Sequence, residues 1–366
     1  METSFELKAP IKSGVPIYTI QKWLFDTAEG RFDVDLAESG IQFHYLSDLK
    51  LDRNYDLNYG SDRGLLELRE LIAEQYGVSA RNVVVTHGTQ EALFLFYHSV
   101  LHEGEHVICF SPGWQQFWEI PRTLGAEVSM IKLSAANDFQ IDWNLVEKAI
   151  RPNTKLLIVN SPNNPSAQMF TEDDWATIRF LAQKYHLRVV NDEEYETDFS
   201  RSVYHRMPGA TSTSSLSKIY GFPGLRIGWA VSTPDLIEKM VNVKRYTTIC
   251  NSILCEHLGV QVLRNKSKYL RKYTSICAQG IQTLRRFVDQ HQELRLIEPQ
   301  QTPFAAIALE NGVPANLFCE QLLERKRVLL MPAEVFESTG FFRLTYGRQD
   351  SVLNEGFTRI SEFIEE

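Results

Sequence analysis

The sequence predicts an α/β fold: a mostly parallel central sheet in a large domain, joined to a smaller α/β domain. Three observations lead there. Short β-rich runs alternate with helical patterns from Asn82 to Tyr246, several of the runs are apolar without interruption, and polar segments bearing glycine or proline follow one run after another. Val83-Val84-Val85 and Leu156-Leu157-Ile158-Val159 show the second feature, which a strand needs when both its faces are covered. Alternation of this kind builds βαβ units. At 366 residues the chain exceeds what one compact domain normally holds.

In chain order, residues 1–35 read as an arm that packs with the small domain and contains one short amphipathic helix around Ile20 to Phe25. Leu65, Leu68, Leu71 and Ile72 recur at helical spacing and predict a helix over Asp62 to Tyr76. Strands are expected at Asn82–Thr86, His106–Phe110, Glu127–Lys132, Leu156–Asn160, Leu187–Asn191 and Leu225–Ser232. Helical patterns fill Gln90–Leu101, Asp142–Ile150, Glu172–Tyr185 and Pro234–Tyr246, so residues 36–248 form the large domain. A long helical stretch, Ser252 to His291, leads out of it. Arg295 to Glu366, punctuated by Pro303, Pro332 and Gly340, completes a small domain over residues 249–366.

Composition narrows the function classes. A net charge of -8 with no dense Lys/Arg run argues against nucleic acid and anionic membrane as partners. The short cluster Arg325-Lys326-Arg327 reads as a solvated helix face. The five cysteines, Cys109, Cys250, Cys255, Cys277 and Cys319, are odd in number and form no C-x-x-C pair. Neither a disulfide framework nor a metal site is expected. Met1 to Pro16 has no apolar signal-peptide core, and no apolar stretch is long enough for a bilayer, so a cytoplasmic protein is expected.

In open α/β sheets, ligands bind beyond the C-terminal ends of the strands. Those ends here carry His87-Gly88-Thr89-Gln90, Ser111-Pro112-Gly113-Trp114, Asn160-Ser161-Pro162-Asn163-Asn164-Pro165 and Asn191-Asp192-Glu193-Glu194-Tyr195, followed by Thr211–Ser215, Ser217-Lys218 and Gly224-Leu225-Arg226. Gly88-Thr89-Gln90 opens a helix, where unpaired N–H groups and the dipole favour a phosphate, although an ordinary N-cap at Thr89 has the same signature. Ser215, Ser217 and Arg226 would complete a phosphate cup; a plain polar loop is the alternative. Lys218 beside such a cup offers a primary amine able to bond a cofactor aldehyde, whereas a lone lysine is otherwise a solvated charge. Asp192 at a buried strand end needs a partner, either a protonated pyridine nitrogen or a neighbouring cation. Tyr195 and Asn164 could reach a ring hydroxyl, or be a half-buried aromatic and a turn residue. Trp114 offers a flat face for stacking or fills core. Arg343, within the apolar Phe341-Phe342-Arg343-Leu344, suits bidentate capture of a substrate carboxylate or a structural salt bridge.

Taken together, residues 30 to 366 resemble the fold-type I pyridoxal-phosphate (PLP) enzymes of the class I and II aminotransferase group. Ser215-Leu216-Ser217-Lys218 followed by Gly224-Leu225-Arg226-Ile227-Gly228-Trp229 is similar to that group's cofactor-lysine segment. The Asn160–Pro165 run, Asp192 with Tyr195, and Tyr59-Gly60 with Gly64 and Leu68-Arg69 are similar to its other motifs. The resemblance implies PLP bonded to Lys218, with Asp192 on the pyridine nitrogen, Asn164 and Tyr195 at the ring hydroxyl and Trp114 on the ring. It puts Gly88, Thr89, Gln90, Ser215, Ser217 and Arg226 around the phosphate, and Arg343 on the carboxylate of a small amino-acid substrate. It also implies a homodimer in which Tyr59 reaches the phosphate of the neighbouring subunit. Ala167 departs from the group's usual glycine, and Leu36–Gln42 departs from its G-x-P type segment.

Ser39-Gly40, Thr86-His87-Gly88 before Glu91-Ala92-Leu93, and Lys218-x-Tyr220-Gly221 resemble capreomycidine synthase and its relatives, with enduracididine-forming cyclases alongside. That resemblance implies a natural-product enzyme that dehydrates and cyclises a hydroxylated L-arginine. Gly40 and Glu38 are then expected on the substrate side, Glu38 holding the guanidinium, with a solvated loop residue as the plain alternative for Glu38. An aminotransferase using a keto-acid acceptor would share the whole cofactor cage. A PLP-fold regulator would need a DNA-binding appendage, for which residues 1–30 are too short and not basic. No G-x-G-x-x-G follows the first strand, which disfavours a nicotinamide enzyme.

Overall fold

The computed structural model describes residues 4–41, 43–52 and 54–366. The first three residues of the expected arm and Gln42, the end of the departing Leu36–Gln42 segment, lie outside them. The strands are β1 (Ser4–Lys8), β2 (Val34–Asp35), β3 (Val83–Thr86), β4 (His106–Ser111), β5 (Glu127–Lys132), β6 (Thr154–Asn160) and β7 (Arg188–Asp192). They continue with β8 (Thr211–Ser215), β9 (Gly228–Val231), β10 (Leu294–Ile297), β11 (Phe304–Leu309), β12 (Val328–Leu329), β13 (Met331–Pro332) and β14 (Phe341–Thr345).

The large sheet has the order β1-β5-β4-β6-β7-β8-β9-β3. β5, β4, β6, β7 and β8 run parallel, which bears out the expected α/β class. β3 and β4 are buried along their whole length, as their unbroken apolar runs require. β9 is the internal exception, antiparallel to both its neighbours. The chain between β8 and β9 holds only a tight turn, Pro223–Leu225, and no crossover helix, so it returns antiparallel. That turn is also why β9 starts at Gly228 and not at Leu225 as the sequence suggested. The consequence matters for the site: Gly228 pairs with both Thr86 and Ser215, so β9 begins where β3 and β8 end.

The second sheet, β10-β11-β14-β13, is antiparallel. Its core takes Leu284 and Phe287 from the Lys266–Val288 helix, Phe318 from Ala315–Lys326, and Leu353 and Phe357 from Asp350–Ile364. The arm serves both parts. β1 pairs antiparallel with β5 at the edge of the large sheet, and Ile20 and Trp23 enter the small core, with Trp23 Nε1 donating to Leu330 O at 2.9 Å. The expected arm helix is a single turn, Thr19–Gln21, running into a π-helical segment, Lys22–Thr27. Ile253–Arg264 lies beyond residue 248, yet its Val260 and Leu263 pack with Leu68 and Ile72 against the large sheet. Among the described residues no helix is long and apolar enough to cross a membrane, and no cluster of His, Cys, Asp and Glu could hold a metal.

Candidate active site

A cavity of about 340 Å³ opens at the C-terminal edge of the parallel strands, lined from one end to the other by Arg226, Thr89, Asp192, Lys218, Glu38 and Arg343. Its size suits a ring-sized cofactor with a small substrate.

At one end, the Gly88–Val100 helix begins with Gly88 at φ +75°, where a Cβ would stand 2.5 Å from Arg226 Nη2. A Cβ on Gly228 would stand 2.4 Å from the Gly88 carbonyl carbon. These close approaches let the arginine lie against the helix start. Arg226 has φ +52°, a left-handed conformation that costs a non-glycine residue about 1 kcal/mol or more. It donates to Pro223 O at 3.0 Å and His87 O at 3.2 Å, which holds the guanidinium beside the helix N-terminus. Ser215, the last residue of β8, accepts a hydrogen bond from Ser217 N at 2.9 Å and donates to Glu194 Oε2 at 2.8 Å. The Thr89 hydroxyl donates to the other oxygen of the same carboxylate. A cationic guanidinium, a helix start and two hydroxyls already holding an anion are the donor set a phosphate monoester needs.

The middle of the cavity is made by β7 and the turn after β6. Asp192 ends β7, and its Oδ1 is buried without a hydrogen-bond partner. Burial, then the charge of Glu194, pushes its carboxyl well above the usual range. A protonated pyridine nitrogen supplies what this atom lacks, so the site fits PLP on this side as well. Tyr195 is buried edge-on against Phe304, with ring centroids 5.0 Å apart. Burial lifts its hydroxyl to about 12 against the pull of Lys218 and Arg343, so it remains a donor at neutral pH. Asn160 Oδ1 accepts from Asn164 N at 2.8 Å and fixes the turn. Asn164 Oδ1 accepts from Arg343 Nη1 at 2.5 Å, which leaves its amide NH2 for a ring oxygen. Trp114 lines the cavity, its ring 6.1 Å from that of Tyr18 on the arm.

At the far end, Lys218 Nζ donates to Glu38 Oε1 at 2.8 Å, and both side chains are largely buried. Burial opposes charge on both, but the pairing outweighs it: Glu38 is held down at about 2, and the Lys218 amine is raised above its ordinary value. Gly40 N donates to the same Glu38 oxygen at 3.0 Å. Arg348 donates to Gly40 O at 2.6 Å and Glu38 O at 3.3 Å, and Arg343 donates to Ala37 O. Arg343 lies between the rings of Phe304 and Phe336, at 5.1 and 5.3 Å, with its buried Nε unpartnered. That nitrogen is available to a carboxylate.

The cavity therefore gathers Lys218 with Thr89, Gln90, Trp114, Asn164, Asp192 and Tyr195, and adds Ser217, Arg226, Glu38 and Arg343. Gly88 and Ser215 stand directly behind the wall. Two residues fall elsewhere. Gly40 does not line the cavity; it is expected on the substrate side, but its backbone instead braces Glu38. Tyr59 is 81% exposed, in a surface depression with Asn251 and Ile253, outside its own chain's cavity. Ala167, at φ +63°, occupies the left-handed turn position for which glycine is the easy choice. Sequence reasoning assigned Glu194, Ser39, Gln116 and Arg348 no role of their own. Glu194 could have been found as an acidic residue in a strand-end run, and Arg348 as a second arginine five residues after Arg343.

The model of the aminotransferase class I and II family matches residues 35–360. The aspartate aminotransferase of Thermotoga maritima is 27% identical over 384 aligned positions, covering 100% of this chain and 96% of its own. A PLP-dependent aminotransferase from Streptococcus suis superposes with a TM-score of 0.91 at 25% identity, covering 96% of this chain and 98% of its own. The PLP-dependent cyclase OrfR superposes with a TM-score of 0.87 at 22% identity, covering 97% and 98%.

Proposed function

Because the chain belongs to the aminotransferase class I and II family, whose cofactor is pyridoxal 5'-phosphate, we propose that this PLP enzyme acts on an amino acid with a cationic side chain, and that it dehydrates and cyclises a hydroxylated L-arginine. The observation that carries this reading is the Glu38 carboxylate inside the cavity, at 2.8 Å from Lys218 Nζ. Arg343 is the lining arginine outside the phosphate cup. A substrate with a second carboxylate would meet Glu38, whereas a guanidinium would find a charge partner there.

When bound, PLP supplies an aldehyde for the amine and a ring that takes up the electrons left at Cα. Thr89, Gln90, Ser215, Ser217 and Arg226 would hold its phosphate, Asp192 its ring nitrogen, Tyr195 and Asn164 its hydroxyl, and Trp114 its face. Arg343 would orient the substrate carboxylate. With the cofactor bound, the Lys218 amine would remove the Cα proton as a general base. The protonated lysine then hands a proton to the departing hydroxyl. Glu38 holds the guanidinium while one of its nitrogens closes the ring. In balance, one C–O and one N–H bond break, one C–N bond forms, and one water leaves. Loss from Cβ is driven by the electrons left at Cα and gives a six-membered ring; loss from Cγ needs a proton removed from Cβ as well and gives a five-membered one.

A second reading, amino exchange with a keto acid, is favoured by the full-length match to an enzyme named aspartate aminotransferase. The two part company in one incubation of purified protein with 3- and 4-hydroxyarginine, without keto acid, followed by product mass. Loss of one water with the amine retained supports the cyclase. Amino transfer that requires a keto acid, without dehydration, removes it. The enzyme is further proposed to be a cytoplasmic homodimer. Exposed Leu57 and Tyr59 stand on one surface, from which Tyr59 would reach the partner's phosphate cup.

A further inference from the structure

Glu194 sits where its charge is hard to reconcile with the cofactor. Its carboxylate takes the hydroxyl hydrogen bonds of Thr89 and Ser215, two donors of the phosphate cup, and lines the cavity beside Asp192. The side chain is buried, as are those of Thr89 and Ser215. A phosphate carries close to two negative charges at neutral pH, and Arg226 is the cup's one cationic side chain among the lining residues besides Lys218 and Arg343 at the other end. A carboxylate and a phosphate cannot share two hydroxyl donors a few ångströms from one guanidinium without strong like-charge repulsion.

We propose that Glu194 is an internal anion that occupies the phosphate cup of the cofactor-free chain and that the phosphate of PLP displaces. The side chain keeps the Thr89 and Ser215 hydroxyls satisfied before the cofactor arrives, and it competes with phosphate for them afterwards. It is therefore a determinant of cofactor affinity, acting on the phosphate and not on the aldehyde. The inference concerns cofactor capture and stands whichever amino acid the enzyme converts.

The test compares wild-type apoprotein with Glu194→Gln and Glu194→Ala, measuring dissociation constants for PLP, inorganic phosphate and unphosphorylated pyridoxal. Both variants are expected to bind PLP and phosphate at least about tenfold more tightly, with pyridoxal affinity unchanged. Phosphate affinity that stays the same or weakens overturns the proposal, because Glu194 would then merely organise the hydroxyls. An equal gain for pyridoxal also overturns it, since the effect would then run through Asp192. A crystal structure of the wild-type holoenzyme needs no variant. Glu194 turned away from Thr89 and Ser215 is expected, and Glu194 still bonded to both refutes the displacement.

Discussion

Replacing Glu38 by glutamine removes the charge that faces Lys218 and leaves a side chain of the same shape. The structure sets the size of the effect. Glu38 falls from 4.5 to about 2, which caps the gain at roughly 3 kcal/mol. Lys218, Arg343 and Arg348 share that gain, so the variant is expected to lose about 2 kcal/mol at pH 7 as apoprotein. A depressed carboxylate contributes fully above its unfolded value and loses its contribution as pH falls through the folded one. The wild-type advantage in urea denaturation should therefore be complete at pH 7 and shrink as pH drops below 4.5 toward 2. A second readout is the lysine itself. Burial lowers the Lys218 amine, and Glu38, helped by Tyr195 and Glu194, more than restores it. In Glu38→Gln the burial effect loses its main counterweight. The pH inflection of pyridoxal labelling at Lys218, trapped with borohydride, should move from above the ordinary 10.5 to a lower pH. Equal stability at pH 7 together with an unmoved inflection would refute the ion pair as described.

Asp192→Asn keeps the shape of a side chain whose buried Oδ1 lacks a partner but cannot hold a protonated ring nitrogen. Turnover is expected to fall by about two orders of magnitude or more with PLP still bound, measured as kcat alongside the cofactor's absorbance; undiminished kcat would contradict the pairing. Gly88→Ala places a Cβ 2.5 Å from Arg226 Nη2 at φ +75°. It should weaken PLP binding roughly tenfold or more, read by equilibrium dialysis, and unchanged binding would mean that Arg226 does not need its seat against the helix.

The buried sheet was legible because Val83–Val85 and Leu156–Val159 carry their covering in their own composition. The cofactor side of the cavity was legible because strand-end segments are local: His87–Gln90, Asn160–Pro165 and Asn191–Tyr195 each lie on one piece of chain. What could not be read were contacts made across hundreds of residues. Lys218 and Glu38 stand 180 positions apart, and Arg348 and Gly40 stand 308 apart. No periodicity carries such a pairing. The direction of β9 was missed for a different reason: apolar patterning gives a strand's existence but not its sense, which here follows from a Pro-Gly turn. The short arm helix was legible in place but not in kind: it spans Thr19–Thr27 as one α-helical turn followed by a π-helical segment, a shape taken from the core that Trp23 enters.

Arg343 and Arg348 leave β14 and the turn after it to grip the carbonyls of Ala37, Glu38 and Gly40. The part that would receive the substrate's carboxylate and the part that presents Glu38 are thus mounted on one frame. On the proposed reading the enzyme works as a caliper with locked jaws. It would select amino acids by the span between their two charged ends, and any movement of the small domain would carry both jaws together without altering the gap.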